Sequence, residues 1–459
     1  MERIEIGILI YFLLANALYF SLTLFSWYML VPYQMSSRLW DPSEILTNPM
    51  APPVSILSPA FNEEVSIVSS LRSLLHLSYP EYEIIVINDG STDQTLAVMQ
   101  KAFLLRRTAH LFHQALPTKR MRGIYQSRQY PHLWVLDKEN GGKADALNAG
   151  LNFSKYPLFC TLDADSILEQ DAIARVIRPY MDNFNEVVAV GGIVRIANGC
   201  RIVQGTVEEA KLGKKALPNI QVVEYLRAFL AGRVAWSQWN ALLIISGAFG
   251  VFKKNPVIEM GGYSVDTVGE DMDLVIRLHQ YLIDQRQKYH IVFIPDPICW
   301  TEAPSEWGVL AKQRNRWHRG LSQVLFAHIK MLFNPRYGRV GLLAMPYFFI
   351  VELLSPVIEV VGYLTFGLIA MIGTVQLEVA MAFFILAVLM GLLLSLLSIL
   401  LEVLTFHRYP NVGTLIQLLF ATVLENFGYR QVTSILRLQG LVDFLRKKHD
   451  WGVMTRKGF

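Results

Sequence analysis

The stretch 54–64, VSILSPAFNEE, decides the fold class of this chain. A short apolar run, Val54–Ser58, ends at Pro59 in a polar turn that contains Glu63, and a helical pattern follows. The same order of apolar run, polar turn and helical run returns at Glu83–Ile87. Alternating strands and helices are typical of an α/β domain, which holds its ligands at the turns that follow the strands.

Acidic residues follow two of the predicted strands. Asp89 lies in the turn after Glu83–Ile87, and Asp163 and Asp165 directly follow the apolar run Leu158–Leu162. Hard oxygen ligands suit Mg²⁺ or Mn²⁺, which also bind substrate phosphates. We therefore expect one carboxylate of the Asp163/Asp165 pair to contact a nucleotide and the other to bind the metal ion.

Small and basic residues mark two further turns. After a third predicted strand, Leu133–Leu136, two glycines and Lys143 begin a helix, and a helix N-terminus of this kind favours an anion. Leu242–Phe252 predicts a buried strand that is interrupted at Gly247 and Ala248, where small residues let a bulky ligand approach the backbone. The remaining predicted strands are Val187–Ile196 and Ile291–Ile294.

Two segments are predicted to contain no strand. Arg106–Arg128 is basic and irregular in period, which predicts either a solvated loop or a contact with phosphates or anionic headgroups. Val207–Trp239 has the apolar spacing of an amphipathic packing helix.

The stretch 268–274, VGEDMDL, carries three carboxylates within four residues, ahead of a helix-like run. They belong to Glu270, Asp271 and Asp273. Neighbouring like charges raise one another's pKa, so such a cluster is favoured where a metal ion, a proton or a cationic partner needs it. We expect the fold to bring this cluster into one cleft with the acidic turns upstream and with the stretch 313–317, QRNRW.

Composition indicates a soluble domain joined to membrane spans. Of 459 residues, 53% are hydrophobic and 17% are charged, and the mean hydropathy is +0.32. These values are too apolar for an ordinary soluble enzyme and too charged for a pure membrane bundle. The net charge of +4 argues for no particular partner, and we expect no nucleic acid. The three cysteines lack metal-ligand spacing and are predicted to be reduced thiols of a cytosolic domain.

Apolar stretches near both ends predict membrane segments. Ile6–Val31 is long enough to cross a bilayer at about 20 residues per span, and without a small-residue cleavage site it is predicted to be retained. Leu342–Ile372 predicts an interfacial piece followed by a span, and Val379–Leu404 predicts a span. The basic segments on either side of Val412–Phe427 both favour the cytoplasm, so we interpret this short stretch as re-entrant or interfacial.

Ser305–Lys330 combines helical spacing with tryptophan and basic residues, which suits a membrane interface. The chain is therefore expected to be a multi-pass protein of the inner or plasma membrane with a cytoplasmic catalytic domain. The predicted segments are a membrane helix at 1–35, a linker at 36–53, the catalytic domain at 54–304, interfacial helices at 305–340, membrane or interfacial helices at 341–430 and a basic cytosolic end at 431–459.

The motifs together resemble those of the membrane-embedded, processive family 2 glycosyltransferases, which include cellulose, chitin, hyaluronan and poly-N-acetylglucosamine synthases. The resemblance extends over roughly 54–330 and rests on Asn88-Asp89-Gly90, Asp163-Ala164-Asp165, Gly269-Glu270-Asp271 and Gln313-Arg314-Asn315-Arg316-Trp317. It implies a GT-A fold, an α/β domain with a mixed, mostly parallel sheet joined to transmembrane and interfacial helices. It also implies inverting transfer from a UDP-sugar with Mg²⁺ or Mn²⁺. Gly269 stands where many relatives of cellulose synthase carry Thr, which leaves the polymer type open.

The resemblance also implies roles for individual residues. Asp89 matches the residue that contacts uracil, the Asp163/Asp165 pair matches the residues that hold nucleotide and metal, and Asp271 matches the general base. The predicted catalytic residues are Asp271, Glu270 and Arg316; the donor-binding residues are Glu63, Asp89, Lys143, Asp163, Gln313 and Arg316; the acceptor-binding residues are Trp317, Gly247 and Ala248; and the metal ligands are Asp163 and Asp165.

These residue types suit glycosyl transfer. A carboxylate such as Asp271 can deprotonate the attacking hydroxyl, the planar fork of Arg316 suits phosphate oxygens, and the ring of Trp317 can cover the apolar face of a sugar. A polymer made in the cytoplasm needs a polar path outward, and we predict that Glu352 and Glu359 line or support it.

The sequence leaves the substrate and two other functions open. UDP-GlcNAc and UDP-glucose are both compatible donors, a growing polysaccharide is the expected acceptor, and an accessory subunit stays open. One alternative is a non-processive transferase that adds a sugar to a polyprenyl phosphate or lipid. The other is a non-enzymatic transport or secretion subunit with a degenerate nucleotide fold.

Overall fold

A computed structural model describes residues 2–38, 40–203, 206–372, 377–409 and 411–448. The chain divides into two compact units. The first, called here the sheet unit, contains 38–210 and 242–302. The second, called the helical unit, contains the N-terminal helix, the segment 211–241 and the described residues from 303 to 448. The segment 211–241 thus belongs to the helical unit, although it lies inside the stretch 54–304 that was predicted as catalytic.

The sheet unit is built on a ten-stranded sheet, and two short strands pair separately. The strands are β1 (Val54–Ala60), β2 (Tyr82–Asp89), β3 (Leu105–Arg107), β4 (Met121–Ser127), β5 (Leu133–Lys138), β6 (Leu158–Leu162), β7 (Ile167–Leu168), β8 (Val187–Ile196), β9 (Arg201–Val203), β10 (Thr206–Glu209), β11 (Phe249–Lys253) and β12 (His290–Thr301). The order across the large sheet is β3-β4-β5-β2-β1-β6-β11-β8-β12-β7.

The sheet is mixed, and most of its strands share one direction. Strands β5, β2, β1 and β6 are parallel neighbours, and β8 is parallel to β12. Strands β4, β7 and β11 run antiparallel to their neighbours, so seven of the ten strands point the same way. Strand β6 is buried along its whole length, as expected for a strand covered on both faces. The predicted α/β architecture with a mixed, mostly parallel sheet is confirmed.

The α-helices, in chain order, are α1 (Glu2–Arg38), α2 (Ser43–Leu46), α3 (Ile67–Leu75), α4 (Thr95–Ala102), α5 (Lys143–Phe153), α6 (Ala172–Asp182), α7 (Ala216–Leu226), α8 (Val234–Gln238), α9 (Lys254–Glu259), α10 (Glu270–Asp284), α11 (Trp307–Ala327), α12 (Met345–Tyr347), α13 (Ser355–Ile372), α14 (Leu377–Phe384), α15 (Met390–Thr405), α16 (Val412–Leu424) and α17 (Arg430–Leu445). Short π-helical turns join several of them, at Arg227–Arg233, Val340–Ala344, Phe348–Leu353 and Ile385–Leu389, and a kink with non-helical backbone at Phe427 and Gly428 lies between α16 and α17.

Three helical stretches of the described chain are long and apolar enough to cross a membrane: Glu5–Met35, Val340–Ile369 and Glu378–Thr405. They coincide with the stretches predicted to contain membrane segments near both ends. Helix α16 has 13 residues and is not among the three. The basic end predicted at 431–459 is helical through Leu445, and its residues from 449 onward lie outside the described residues.

The structure corrects three of the predicted elements. Arg106–Arg128 contains β4 and most of β3. Strand β3 is the sheet edge and carries two arginines, and β4 beside it is only partly buried, so neither strand is a continuous apolar run. Val207–Glu209 is part of β10 and not of a helix. Leu242–Ile245 is largely buried but is not a strand, since only Phe249–Lys253 pairs with β6 and β8.

Candidate active site

The predicted acidic turns lie at one edge of the sheet. Strands β2 and β6 run in the same direction on either side of β1, so Asp89 at the end of β2 and Asp163 after β6 both lie beyond carboxyl ends of parallel strands. In open α/β sheets this edge is where ligands bind.

Lys143 links several of the predicted residues. Its ammonium donates to Asp163 Oδ1 at 2.6 Å and to the carbonyl oxygen of Gly247 at 3.2 Å, and it lies 3.5 Å from Glu270 Oε1. Asp271 joins the same cluster, because its Oδ2 accepts a hydrogen bond from the Gly247 amide at 3.1 Å. One cation is therefore shared by several carboxylates, and the cluster keeps an excess of negative charge.

The protonation of the cluster follows from burial and charge. Burial raises the pKa of Glu270 to about 7, and the charge of Asp271 adds to this rise while Lys143 opposes it. Burial alone would lower the pKa of Lys143, but the negative charges of Asp163 and Glu270 outweigh it and hold the pKa above its usual value. The lysine is thus a fixed positive charge, and Glu270 is poised to exchange a proton near neutral pH.

Asp271 is the better placed of the two carboxylates to act as a base. It is half-buried, whereas Glu270 is buried. Backbone amides fix the Asp271 carboxylate on both sides, from Gly247 to Oδ2 and from Met272 to Oδ1 at 2.8 Å. A small cavity borders Lys143, Gly247, Glu270 and Asp271, so this carboxylate is held at an opening.

The backbone at Gly247 approaches the charged groups closely. A methyl group added at Gly247 would lie 2.9 Å from Lys143 Nζ and 3.4 Å from Asp271 Oδ2, so a side chain there would displace the lysine. Ala248 follows in the same turn, and its carbonyl oxygen accepts from Cys299 Sγ at 3.7 Å. The small residues that were predicted to admit a ligand lie in a turn before β11 and not inside a strand.

The third carboxylate of the acidic stretch has a different role. Asp273 is buried and accepts a hydrogen bond from Arg277 Nε at 2.7 Å, one helical turn along α10. Arg277 also donates to the carbonyl oxygens of Met260 and Gly262, so Asp273 holds the chain segment before α10.

Asp163 and Asp165 can supply hard oxygen ligands to a divalent cation. Asp165 is buried, and the Asp163 side chain is 28% exposed. Within the described residues, no group of three or more His, Cys, Asp or Glu side chains could hold a metal ion by itself. Such a donor set fits an ion that takes its remaining ligands from substrate phosphates and water, as Mg²⁺ commonly does.

The other donor-binding candidates lie at neighbouring turns. The carboxylate of Asp89 is buried and accepts hydrogen bonds from the amides of Gly141 and Gly142 at 3.0 and 2.7 Å. Glu63 lies ahead of α3, where its Oε2 accepts from Ser66 Oγ at 2.7 Å. Lys138 was not among the predicted residues, and its ammonium is fully buried 2.5 Å from Asp89 Oδ1.

Gln313, Arg316 and Trp317 lie on α11 in the helical unit. Trp317 is 42% exposed, and the guanidinium of Arg314 lies 4.6 Å from the centre of its ring. Arg314 is itself held by a two-pronged ion pair to Glu224, at 2.8 and 2.7 Å. Within the described residues, the buried Oε1 of Gln313 has no hydrogen-bond partner, so it can accept one from a ligand.

The fold and the acidic cluster define the class of protein. A family model described as "Glycosyl transferase family group 2" matches residues 158–407, and one described as "Glycosyl transferase family 2" matches residues 55–221. The chain belongs to the family 2 glycosyltransferases and is a glycosyltransferase.

Its curated relatives include polysaccharide synthases. A poly-beta-1,6-N-acetyl-D-glucosamine synthase of Staphylococcus epidermidis is 32% identical over 273 residues, which are 59% of this chain and 55% of the relative. One of Staphylococcus aureus (strain COL) is 33% identical over 295 residues, 62% of this chain and 59% of the relative. The chain therefore spans little more than half the length of these relatives.

A solved structure shares the fold. The mannosyltransferase PcManGT from Pyrobaculum calidifontis, in complex with GDP-Man and Mn²⁺, superposes with a TM-score of 0.51 over 96% of this chain and 100% of its own. The two sequences are 16% identical, so the likeness shows a common architecture only.

Proposed function

We propose that this protein is an inverting, processive β-glycosyltransferase that polymerises N-acetylglucosamine from UDP-GlcNAc at the inner face of the membrane. The observation that carries the proposal is the half-buried carboxylate of Asp271, fixed by the Gly247 amide beside the Lys143–Asp163 ion pair. The choice of sugar is supported by relatives named poly-beta-1,6-N-acetyl-D-glucosamine synthases.

In the proposed reaction, Asp271 accepts the proton of the acceptor hydroxyl. The hydroxyl oxygen forms a bond to the anomeric carbon of the donor as the bond from that carbon to the diphosphate oxygen breaks. The electron pair of the broken bond leaves with UDP, and attack opposite the leaving group inverts the configuration. A well-placed base contributes about 10²–10⁴-fold to such a step, and the fixed charge of Lys143 favours the developing diphosphate anion.

Asp163 and Asp165 would hold a Mg²⁺ or Mn²⁺ ion, which would neutralise charge on the donor diphosphate. The presence of Mn²⁺ with GDP-Man in the mannosyltransferase of the same fold supports this assignment. Lys143, paired with Asp163, would orient the phosphates. We assign Asp89 and Glu63 to the nucleotide end of the donor, as the turns after parallel strands favour.

The motif on α11 completes the proposal. We assign Gln313 and Arg316 to the diphosphate and Trp317 to the apolar face of the acceptor sugar. The support is chemical: an arginine fork matches phosphate oxygens, an exposed indole suits a sugar face, and the Gln313 carboxamide oxygen has acceptor capacity to offer.

We further propose that the helical unit passes the polymer outward with the catalytic domain on the cytoplasmic side. Glu352 accepts hydrogen bonds from the hydroxyls of Tyr19 and Tyr347, each at 2.9 Å. The ring of Tyr347 lies 5.0 Å from that of Trp236, and the Tyr19 ring lies 6.1 Å from Tyr347. Aromatic faces next to a carboxylate suit the two kinds of surface that a sugar presents.

Glu352→Gln with Glu359→Gln as its partner variant tests this path. Glu359 is paired with Arg430 at 3.1 Å and supports the helices. For Glu352→Gln, whose side chain lies among the aromatic rings, we expect the secreted share of polymer to fall more than the total amount of polymer. Unchanged export in both variants would remove the path from the proposal.

The proposed reaction is tested with the purified full chain and Mg²⁺ or Mn²⁺ against a panel of UDP-sugars. We expect UDP release with UDP-GlcNAc and a ladder of products whose masses differ by one N-acetylhexosamine. A single addition to a lipid acceptor would contradict polymerisation, and UDP binding without UDP release would contradict catalysis.

A further inference from the structure

Lys138 is a fully buried lysine at the end of β5, outside the residues assigned above. Its ammonium lies 2.5 Å from Asp89 Oδ1 and 2.5 Å from Asp145 Oδ1, and it donates to the carbonyl oxygen of Glu139 at 2.7 Å. Buried ion pairs often stabilise a fold no better than apolar residues would, because desolvation costs as much as the attraction returns. The arrangement therefore calls for a role besides stability.

The two carboxylates that flank Lys138 fix the turn at 140–142. Asp89 accepts from the amides of Gly141 and Gly142, and its carbonyl oxygen accepts from Asn140 Nδ2 at 2.8 Å. Gly141 packs so closely on Asp145 that a methyl group there would lie 2.4 Å from Asp145 Oδ1. Gly142 has a φ of +86°, which disfavours any residue with a side chain.

Lys143 directly follows this turn and begins α5. Asp145 lies two residues further along α5, and its carboxylate also accepts from the amide of Lys119 at 3.0 Å. Lys143 thus lies in the chain between the turn that Asp89 holds and the helical residue Asp145, and the two carboxylates share Lys138. A lysine side chain is long and flexible. Because its backbone is already fixed, less conformational entropy remains to be lost when the ammonium binds an anion.

We propose that Lys138, with Asp89 and Asp145, is a positioning device that aims Lys143 at the donor diphosphate. The inference rests on the proposed function, in which Lys143 contacts that diphosphate. Lys138 touches neither substrate nor metal in this assignment, and it acts through the turn at 140–142.

A double-mutant cycle on UDP affinity tests the coupling, with UDP and Mg²⁺ as the probe and the purified full chain in detergent. We expect Lys143→Ala to weaken UDP binding about tenfold, which corresponds to roughly 1.4 kcal/mol. Asp145→Asn should weaken it by about threefold or more. The double variant should bind within about twofold of Lys143→Ala alone, because residues that act through one another are not additive. Fully additive losses would overturn the inference.

Two further variants separate positioning from folding. Gly142→Ala strains the turn without touching an ion pair, since a methyl group there meets no atom within 4 Å, and it should weaken UDP binding in the same non-additive way. Glu83→Gln is the matched control. Glu83 is a buried carboxylate at the opposite end of β2 that accepts from Ser55 Oγ at 2.6 Å and from the Lys155 amide at 3.0 Å.

We expect Glu83→Gln to leave UDP affinity unchanged within about twofold, as an uncoupled distant site should. Equal losses in Glu83→Gln and Asp145→Asn would show a general effect of burial and overturn the inference. If the wild-type chain binds no UDP, or Lys143→Ala binds it normally, the proposed function fails as well. If those two behave as expected while Asp145→Asn and Gly142→Ala bind normally, only the positioning role fails.

Discussion

The two units bury charged side chains in different ways. In the sheet unit, the single ammonium of Lys143 is shared by Asp163 and Glu270, with Asp271 close by through Gly247. In the helical unit, three buried or half-buried carboxylates each pair with one arginine. These pairs are Glu224 with Arg314, Glu359 with Arg430 and Glu425 with Arg227.

This difference distinguishes charged groups that take part in chemistry from those that hold the structure together. One-to-one pairs cancel their charges, which suits helices with apolar surroundings where an isolated charge is costly. Several carboxylates around one lysine leave negative charge and a raised Glu270 pKa beside a cavity, and such unbalanced sites are typical of catalysis and metal binding. The comparison predicts that neutralising a side chain will mainly change activity in the Lys143 cluster of the sheet unit and will mainly change stability in the one-to-one pairs of the helical unit.

The largest expected effect is on turnover in Asp271→Asn. The amide keeps the shape of the side chain but cannot accept the proton, so kcat should fall by about 10²–10⁴-fold while UDP binding persists. UDP release at saturating donor and acceptor measures this change.

Asp273→Asn, two residues along α10, is the matched control. Asp273 pairs with Arg277, so this variant should lose thermal stability and keep most of its turnover per folded molecule. If Asp271→Asn and Asp273→Asn lost turnover equally, the acidic stretch would not contain a distinct base.

The next effect concerns stability in the helical unit. Glu425→Gln leaves the guanidinium of Arg227, now 2.5 Å from Glu425 Oε1, without its counter-charge, and breaking a buried pair costs about 3–5 kcal/mol. Denaturation of the detergent-solubilised protein measures the loss. The double variant Glu425→Gln/Arg227→Met removes both charges and should recover much of it. A double variant less stable than the single one would contradict the pairing argument.

A smaller effect links Glu270 to pH. Its carboxyl has a pKa of about 7 in the folded chain against an ordinary value of 4.5, so the folded state holds the proton more tightly than the unfolded state. This difference adds stability below pH 4.5 that is lost as the pH rises to about 7. Glu270→Gln should therefore flatten the fall in melting temperature over that range, measured without metal or nucleotide. An unchanged pH profile would show that Glu270 titrates normally.

Burial explains which parts of the fold the sequence could predict. Strands β1, β2, β6 and β8 were found because strands covered on both faces are continuous apolar runs that end at turn residues. Strands β3 and β4 were missed because the edge strand β3 carries two arginines and the partly buried β4 beside it mixes polar and apolar residues, so neither is a continuous apolar run. Leu242–Ile245 was misassigned because apolar sequence reports burial and does not report hydrogen-bonded pairing.

The site shows the same limit. Asp163 was predicted because it directly follows a buried apolar run, and Glu270 and Asp271 were predicted because they belong to three carboxylates within four residues. Lys138 gave no such signal, since a lone lysine at a strand end is usually solvated, and only the fold brings it between two carboxylates. The role of Asp273 could have been inferred from Arg277, because residues four apart on a helix face each other.

The smallest expected effect is on the stability contributed by an exposed one-to-one ion pair. Arg201 Nε lies 3.2 Å from Glu208 Oε2 in the β9–β10 hairpin, and the two side chains are 70% and 47% exposed. Water screens such a pair, so Glu208→Gln should change the free energy of unfolding by less than about 1 kcal/mol, and added salt should reduce even that difference. The same denaturation assay applied to Glu425→Gln provides the reference. Equal losses of unfolding free energy in Glu208→Gln and Glu425→Gln would mean that an ion pair stabilises the fold to the same extent whether it is exposed or buried. The difference between the two units would then reflect only the number of charges in each cluster.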